Sequence, residues 1–330
     1  MKKNDYRPRV IDRRVEEYLS AFGAICIEGP KWCGKTWTSS HHSKSEILIG
    51  DPAGNFQNRK LAELQPSLVL EGETPRLIDE WQEVPPLWDA VRHLVDERAA
   101  KGQFILTGAA TPRDEAARHS GAGRFGTLRM RTMTLTEMEA TSSAVSVRQL
   151  LDDAAVAPTN SPTTVRDYLH HIAVGGWPLL VGASEATART YLNGYLRVIV
   201  EHDIDEVSGA TRNPRLVRRF LHAYAQMTAQ PSTLATVMKR ARDEVDDAPS
   251  LPSRPAAQDY LDALRRMMIV DEVPAWDPAV RSSKRLTNTP KRMLADPSLA
   301  AVPLLGQGRR GPPRGTASRS LPGSTGSPRS

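Results

Sequence analysis

Two rhythms of apolar and polar positions run through the first 140 residues. Short apolar runs at Ala24-Ile25-Cys26-Ile27, Leu77-Ile78 and Phe104-Ile105-Leu106 read as buried strands. Residues 87–99 read as a helix, and Val10, Val15, Tyr18, Leu19 and Phe22 share one helical face ahead of the first strand. Residues 47–49, 68–70 and 127–135 are further strand candidates, the last alternating apolar and polar with a period of two. Alternating strands and helices predict an α/β fold, a parallel sheet flanked by helices, over residues 1–140.

The pattern then changes. Residues 141–163 are rich in Ser, Thr, Ala and Pro around Leu150-Leu151 and read as a linker. Residues 164–305 are mainly α-helical, broken at Gly175-Gly176-Trp177-Pro178, with helices expected over 187–208 and 214–228. Within them, 232–276 has the layout of a winged-helix module. Ser232-Thr233 can cap a helix reaching about Asp243. A Pro- and Asp-rich loop spans 246–255, and Tyr260, Leu261, Leu264, Met267 and Met268 form an apolar face. Ile269-Val270 and Val273 would begin the wing, with Trp276 near its turn. Residues 306–330 hold six glycines, four prolines, five serines and five arginines, a composition that predicts a disordered tail.

Charge changes the picture only slightly. The chain carries 44 Lys+Arg against 38 Asp+Glu. Five of those arginines lie in 306–330, so the rest stands at 39 against 38 and is nearly neutral. Arg240, Arg242, Arg265, Arg266, Arg281, Lys284, Arg285, Lys291 and Arg292 make the winged region locally basic, with acids interleaved. That region could meet DNA or a protein partner. No run approaches membrane-spanning length, and Cys26 and Cys33 alone imply no disulfide framework. A cytoplasmic setting is expected. His170, His171, His202 and His222 match no metal-ligand spacing.

The chemistry concentrates at residues 29–36, Gly29-Pro30-Lys31-Trp32-Cys33-Gly34-Lys35-Thr36, a complete phosphate-binding loop. Its glycines let backbone amides turn inward on phosphate oxygens. Lys35 can reach the β- and γ-phosphates of ATP, and the Thr36 hydroxyl can ligate Mg²⁺. Asp79, at the end of a strand-like run, is the expected second Mg²⁺ ligand, and Glu80 the residue that orients or deprotonates water. Thr107 ends another such run and either senses the γ-phosphate or water, or simply caps a turn. Arg124, in a glycine-rich stretch, is a candidate for charge neutralisation in cis or from a neighbouring subunit; the alternative is a surface arginine. Cys33 sits beside Lys35 and a helix N-terminus, both of which lower a thiol pKa; the alternative is a small residue that happens to be sulfur.

Several stretches in order resemble one family, the AAA-type P-loop ATPases of bacteria and archaea that carry a C-terminal domain of unknown function. They are residues 27–36, residues 77–85 from Leu77 to Pro85, residues 104–109, Gly123-Arg124-Phe125, and residues 133–137. Gly175-Gly176-Trp177-Pro178, Tyr195-Leu196, Asp203-Ile204, Pro290-Lys291-Arg292 and Asp296-Pro297 follow. The resemblance implies an ATP-binding α/β domain, a helical region with a winged helix, and Mg²⁺-dependent ATP hydrolysis that moves the second against the first. Family members usually continue into a further domain similar to restriction-endonuclease folds. The likeness stops near residue 305, which suggests a truncated member with a frame-shifted tail; a native disordered tail is the alternative. An ATP-dependent binding switch with negligible turnover, or a non-functional truncated product, are the rival readings.

Overall fold

Five short strands set the frame: β1 (Ala24–Glu28), β2 (Ser45–Leu48), β3 (Arg76–Asp79), β4 (Phe104–Gly108) and β5 (Phe125–Arg129). They form one parallel sheet in the order β2-β3-β4-β1-β5. The computed structural model describes residues 6–108, 121–141, 145–152, 162–243, 252–276 and 289–306. The period-two rule explains the two faces of the sheet. Ala24, Cys26, Ile78, Phe104 and Leu106 point to one face, Ile25, Ile27, Leu77 and Ile105 to the other. On the second face packs α1 (Asp12–Ala21) through Val15, and from the end of β1 springs α2 (Lys35–His42). The first face is covered by α3 (Ala53–Leu64), α4 (Pro66–Val69) and α5 (Pro86–Arg98). A strand buried on both faces reads as an unbroken apolar run, as 24–27 does. Each fully buried Ile or Leu here contributes about 1.5–3 kcal/mol.

Two expected strands differ. Residues 68–70 are not a strand: Pro66 starts the helical turn α4, whose Val69 is buried in the first-face core. The strand expected over 127–135 is β5, and it ends at Arg129. Beyond it the Met133 amide donates to the Gly176 carbonyl at 2.7 Å instead of to the sheet.

The C-terminal region is helical: α6 (Val147–Leu151), α7 (Val165–Val174), α8 (Glu185–Val198), α9 (Ile204–Ser208), α10 (Pro214–Gln226), α11 (Leu234–Asp243), α12 (Arg254–Arg266) and α13 (Ser298–Gly306). Side-chain caps at Thr164, Ser184, Asn213 and Ser253 start four of them. Their core is separate from the sheet and centres on Trp177, Leu192, Phe220, Tyr224, Leu264 and Leu299. The helix expected over 187–208 is interrupted by a π-helical turn at Ile199–Asp203. After α12, isolated antiparallel bridges join Val270 to Leu294 and Val273 to Lys291. Residues 277–288, where the body of a wing would lie, are outside the described residues, as are Arg281, Lys284, Arg285, the tail after Gly306 and much of the expected linker. Among the described residues no helix is long and apolar enough to cross a membrane.

A buried carboxylate holds the Gly175–Trp177 turn, through which the helical region meets the sheet region at Met133. Asp296 is 1% exposed; its Oδ1 accepts from Ser298 and its Oδ2 from the Gly176 amide at 2.9 Å. Trp177 Nε1 donates to Ser298 Oγ at 3.1 Å. A Cβ on Gly176 would lie 2.0 Å from the Met133 carbonyl oxygen, so only glycine fits there. The Gly-Gly-Trp-Pro and Asp-Pro stretches thus form this joint.

Candidate functional site

The 29–36 segment leaves the carboxyl end of β1 and enters α2. Two glycines are required by its path. A Cβ on Gly29 would lie 2.4 Å from the Met130 carbonyl oxygen, and Gly34 has φ +104°. Lys35, in the first turn of α2, is buried. Its ammonium donates to the carbonyls of Gly29 at 2.9 Å and Pro30 at 3.0 Å. Burial pulls its pKa down, while Cys33, Asp79 and Glu80 act in the opposite direction. Trp32 is exposed, with a left-handed φ of 68°. Cys33 is fully buried, and burial pushes its thiol pKa up despite Lys35 and Arg9 nearby. The lowered thiol pKa expected from the loop position is therefore corrected: desolvation outweighs the two cations.

The acidic side of the site comes from two other strands. Asp79 closes β3, and both its carboxylate oxygens lie 3.1 Å from Thr36 Oγ1. Thr107 in β4 donates its hydroxyl proton to Asp79 Oδ1. The Glu80 amide approaches Thr107 Oγ1 at 3.4 Å. Burial raises the Asp79 pKa; bonds from Thr107 and Thr36 and the charge of Lys35 act against that. Burial also raises the Glu80 pKa, helped by the negative charges of Asp79 and Glu83. Glu80 has a left-handed backbone, φ 56° and ψ 44°, and a Cβ on Gly50 would lie 2.5 Å from its Oε2. A hydroxyl and a carboxylate converging from different elements form a hard oxygen donor pair of the kind Mg²⁺ prefers. The residues present therefore fit that ion.

The fold thus brings together Gly29, Pro30, Lys31, Trp32, Cys33, Gly34, Lys35 and Thr36 with Asp79, Glu80 and Thr107 at the carboxyl edge of the sheet. It does not bring Arg124. That residue precedes β5, whose first residue Phe125 pairs with Ala24 at the opposite end of β1. Its carbonyl accepts from the Ala24 amide at 3.1 Å, and its guanidinium pairs with Asp96 at 2.7 Å. At about 3.3 Å per residue, the length of β1 separates Arg124 from the loop by roughly 15 Å. A role for Arg124 within its own chain is corrected on that ground.

Other groups reach this edge from distant parts of the chain. Lys31 forms an ion pair with Asp203 at 3.0 Å, and the Tyr195 hydroxyl donates to the Lys31 carbonyl at 3.3 Å. Arg9 donates to the Cys33 carbonyl at 2.9 Å. Arg129, the last residue of β5, and Arg131 just past it both pair with Asp271. Among the described residues no group of three or more His, Cys, Asp and Glu could hold a metal ion.

Comparison with known proteins agrees with this geometry. Residues 21–139 match the model of an AAA domain, and residues 165–309 that of a domain of unknown function (DUF8612). Uncharacterized proteins of Mycobacterium tuberculosis and Mycobacterium bovis are each 26% identical over 87% of the chain. The chain spans 57% of the length of these curated relatives. A Walker-type ATPase of Pyrococcus abyssi shares the fold at 16% identity and a TM-score of 0.51, covering 91% of this chain and 97% of that one. Sheet, loop and the two matched segments support an AAA-type P-loop ATPase domain over residues 21–139 followed by a domain of unknown function over residues 165–309.

Proposed function

We propose that residues 29–36 bind ATP with Mg²⁺ and that the chain hydrolyses it to ADP and phosphate. The observation that carries this reading is the convergence of Lys35, Thr36, Asp79 and Thr107 at the carboxyl ends of β1, β3 and β4. Lys35 would exchange the Gly29 and Pro30 carbonyls for phosphate oxygens. Thr36 and Asp79 would hold Mg²⁺, which when bound neutralises charge on the phosphates. Glu80 would orient the attacking water and take its proton. A raised carboxyl pKa makes it a better base for that task. Thr107 would sense the γ-phosphate or the water, since it links Asp79 to the Glu80 amide.

Coupling to the helical region is part of the proposal. Lys31 is the loop residue that touches that region, through Asp203 in the π-helical turn and Tyr195 in α8. Phosphate entering the loop would compete with Asp203 for Lys31. We also read α11, α12 and the 270–294 pairing as a winged helix. Its basic groups are partly spent internally: Arg265 pairs with Asp262 and Glu272, and buried Arg292 with Glu272. That favours a protein partner over DNA.

The test is phosphate release from ATP by the purified chain in Mg²⁺, beside Glu80→Gln. The expected result is turnover in the wild type and a loss of about 10²–10⁴-fold in the variant, with ATP still bound. Binding without turnover in the wild type would replace the enzyme with an ATP-dependent switch.

A further inference from the structure

Arg9 lies ahead of α1, 8% exposed, and its guanidinium is spent on three different partners. Nη1 donates to the Cys33 carbonyl at 2.9 Å, Nη2 to the Arg131 carbonyl at 2.8 Å, and Nε to Glu137 Oε1 at 3.1 Å. Glu137 is held in turn: its carboxylate accepts from the amides of Val10 at 2.5 Å and Thr134 at 2.6 Å. The Arg9 amide donates to Asp12 Oδ2 at 2.7 Å, which ties the arginine to the start of α1. A buried ion pair bonded on both sides has little freedom to move. Two stretches distant in sequence, the loop at Cys33 and residues 131–137, therefore fix one guanidinium behind the loop.

What that guanidinium fixes is one peptide unit. The carbonyl of Cys33 and the amide of Gly34 belong to the same peptide, and it is trans; the only cis bond among the described residues is Thr74-Pro75. In a planar trans peptide the C=O and N–H point in opposite directions. An oxygen held on Arg9 therefore turns the Gly34 N–H away from Arg9. Gly34 has φ +104°, where glycine alone is comfortable, and a Cβ there would lie 3.0 Å from Arg9 Nη1. The glycine on one side of this unit eases a peptide flip, and a flipped Cys33-Gly34 unit would offer phosphate an oxygen in place of a donor.

We infer that Arg9 is a positioning residue of the phosphate loop. It pins the Cys33 carbonyl so that the Gly34 amide is presented to a phosphate of ATP. Its fixed positive charge adds to the field that favours the anion. The inference rests on the proposed ATP site and adds to it a residue outside the loop, with Glu137 as its anchor. It also gives the 133–137 stretch a physical task.

The experiment is a titration of the full chain with ATP and Mg²⁺, with apo melting temperature as the check on folding. The double variant Arg9→Met with Glu137→Gln removes both charges together, so no buried carboxylate is stranded. Its ATP dissociation constant is expected to rise by about tenfold or more, the effect of a lost charge-assisted bond. Arg9→Lys keeps the charge and one donor but loses the fork, and is expected to recover part of that loss. A folded double variant that binds ATP within about twofold of wild type overturns the inference. If the double variant does not fold, Arg9→Lys decides: several-fold weaker binding upholds the inference, and unchanged binding overturns it. A wild-type chain that binds no ATP removes the site and this inference together, whereas wild-type binding with unaffected variants removes the inference alone.

Discussion

The two ends of the same parallel sheet are built in opposite ways. At the carboxyl end, polar groups are buried and satisfied by one another: Lys35 by loop carbonyls, Thr36 and Thr107 by Asp79, Arg9 by Cys33 and Glu137. At the amino end, Arg124 and Asp96 pair directly but lie exposed to solvent, while backbone bonds such as Gln103 N–H to the Gly23 carbonyl close the sheet's edge. The chemistry of the residues is similar at the two ends; the dielectric is not. A charge held dry and oriented acts on an arriving phosphate at little further cost, whereas a solvated ion pair is screened. The difference teaches that position along the strands, more than residue type, selects the site.

Substitutions at both ends sharpen the contrast. The largest effect is expected for Lys35→Ala, which removes a charged donor from the dry end. ATP affinity measured by titration should fall about 10–100-fold. Thr107→Val comes next. It deletes the hydroxyl that links Asp79 to the Glu80 amide, so turnover should drop about 3–10-fold with ATP affinity largely kept. Asp203→Asn tests the connection to the helical region. The Lys31 partner is half exposed, so ATP affinity should change by no more than about fivefold, and upward because Lys31 is released. The smallest effect belongs to the wet end: Arg124→Ala should leave turnover within about twofold and the melting temperature unchanged. A large loss in Arg124→Ala would break the comparison, and would point to an arginine supplied to a neighbouring subunit.

What could be read from the chain follows from the range of the interactions. The loop is a contiguous pattern, and Asp79 and Thr107 each end an apolar run, so a parallel sheet places all three at one edge without further information. Arg124 also adjoins such a run, but it stands before the strand and not after it, and that one-strand offset moves it to the other end. Arg9 and Glu137 are 128 residues apart, and Lys31 and Asp203 are 172 apart by number. Neither pair leaves a local period or motif, so only the folded chain joins them. The burial that raises the Cys33 thiol pKa is visible only in the fold, because neighbours in sequence announce charge and do not announce burial. The run at 68–70 shows the same limit at the level of secondary structure: apolar residues there serve a helical turn started by Pro66.

The central claim is that nucleotide sits on the carboxyl edge of the sheet, against residues 29–36. Amide hydrogen exchange with and without Mg²⁺ and ATP tests it most directly. The account predicts slowed exchange across 29–36 and around Thr107, with 121–126 unchanged. Protection confined to 121–126, or ATP bound with no change at 29–36, would contradict it.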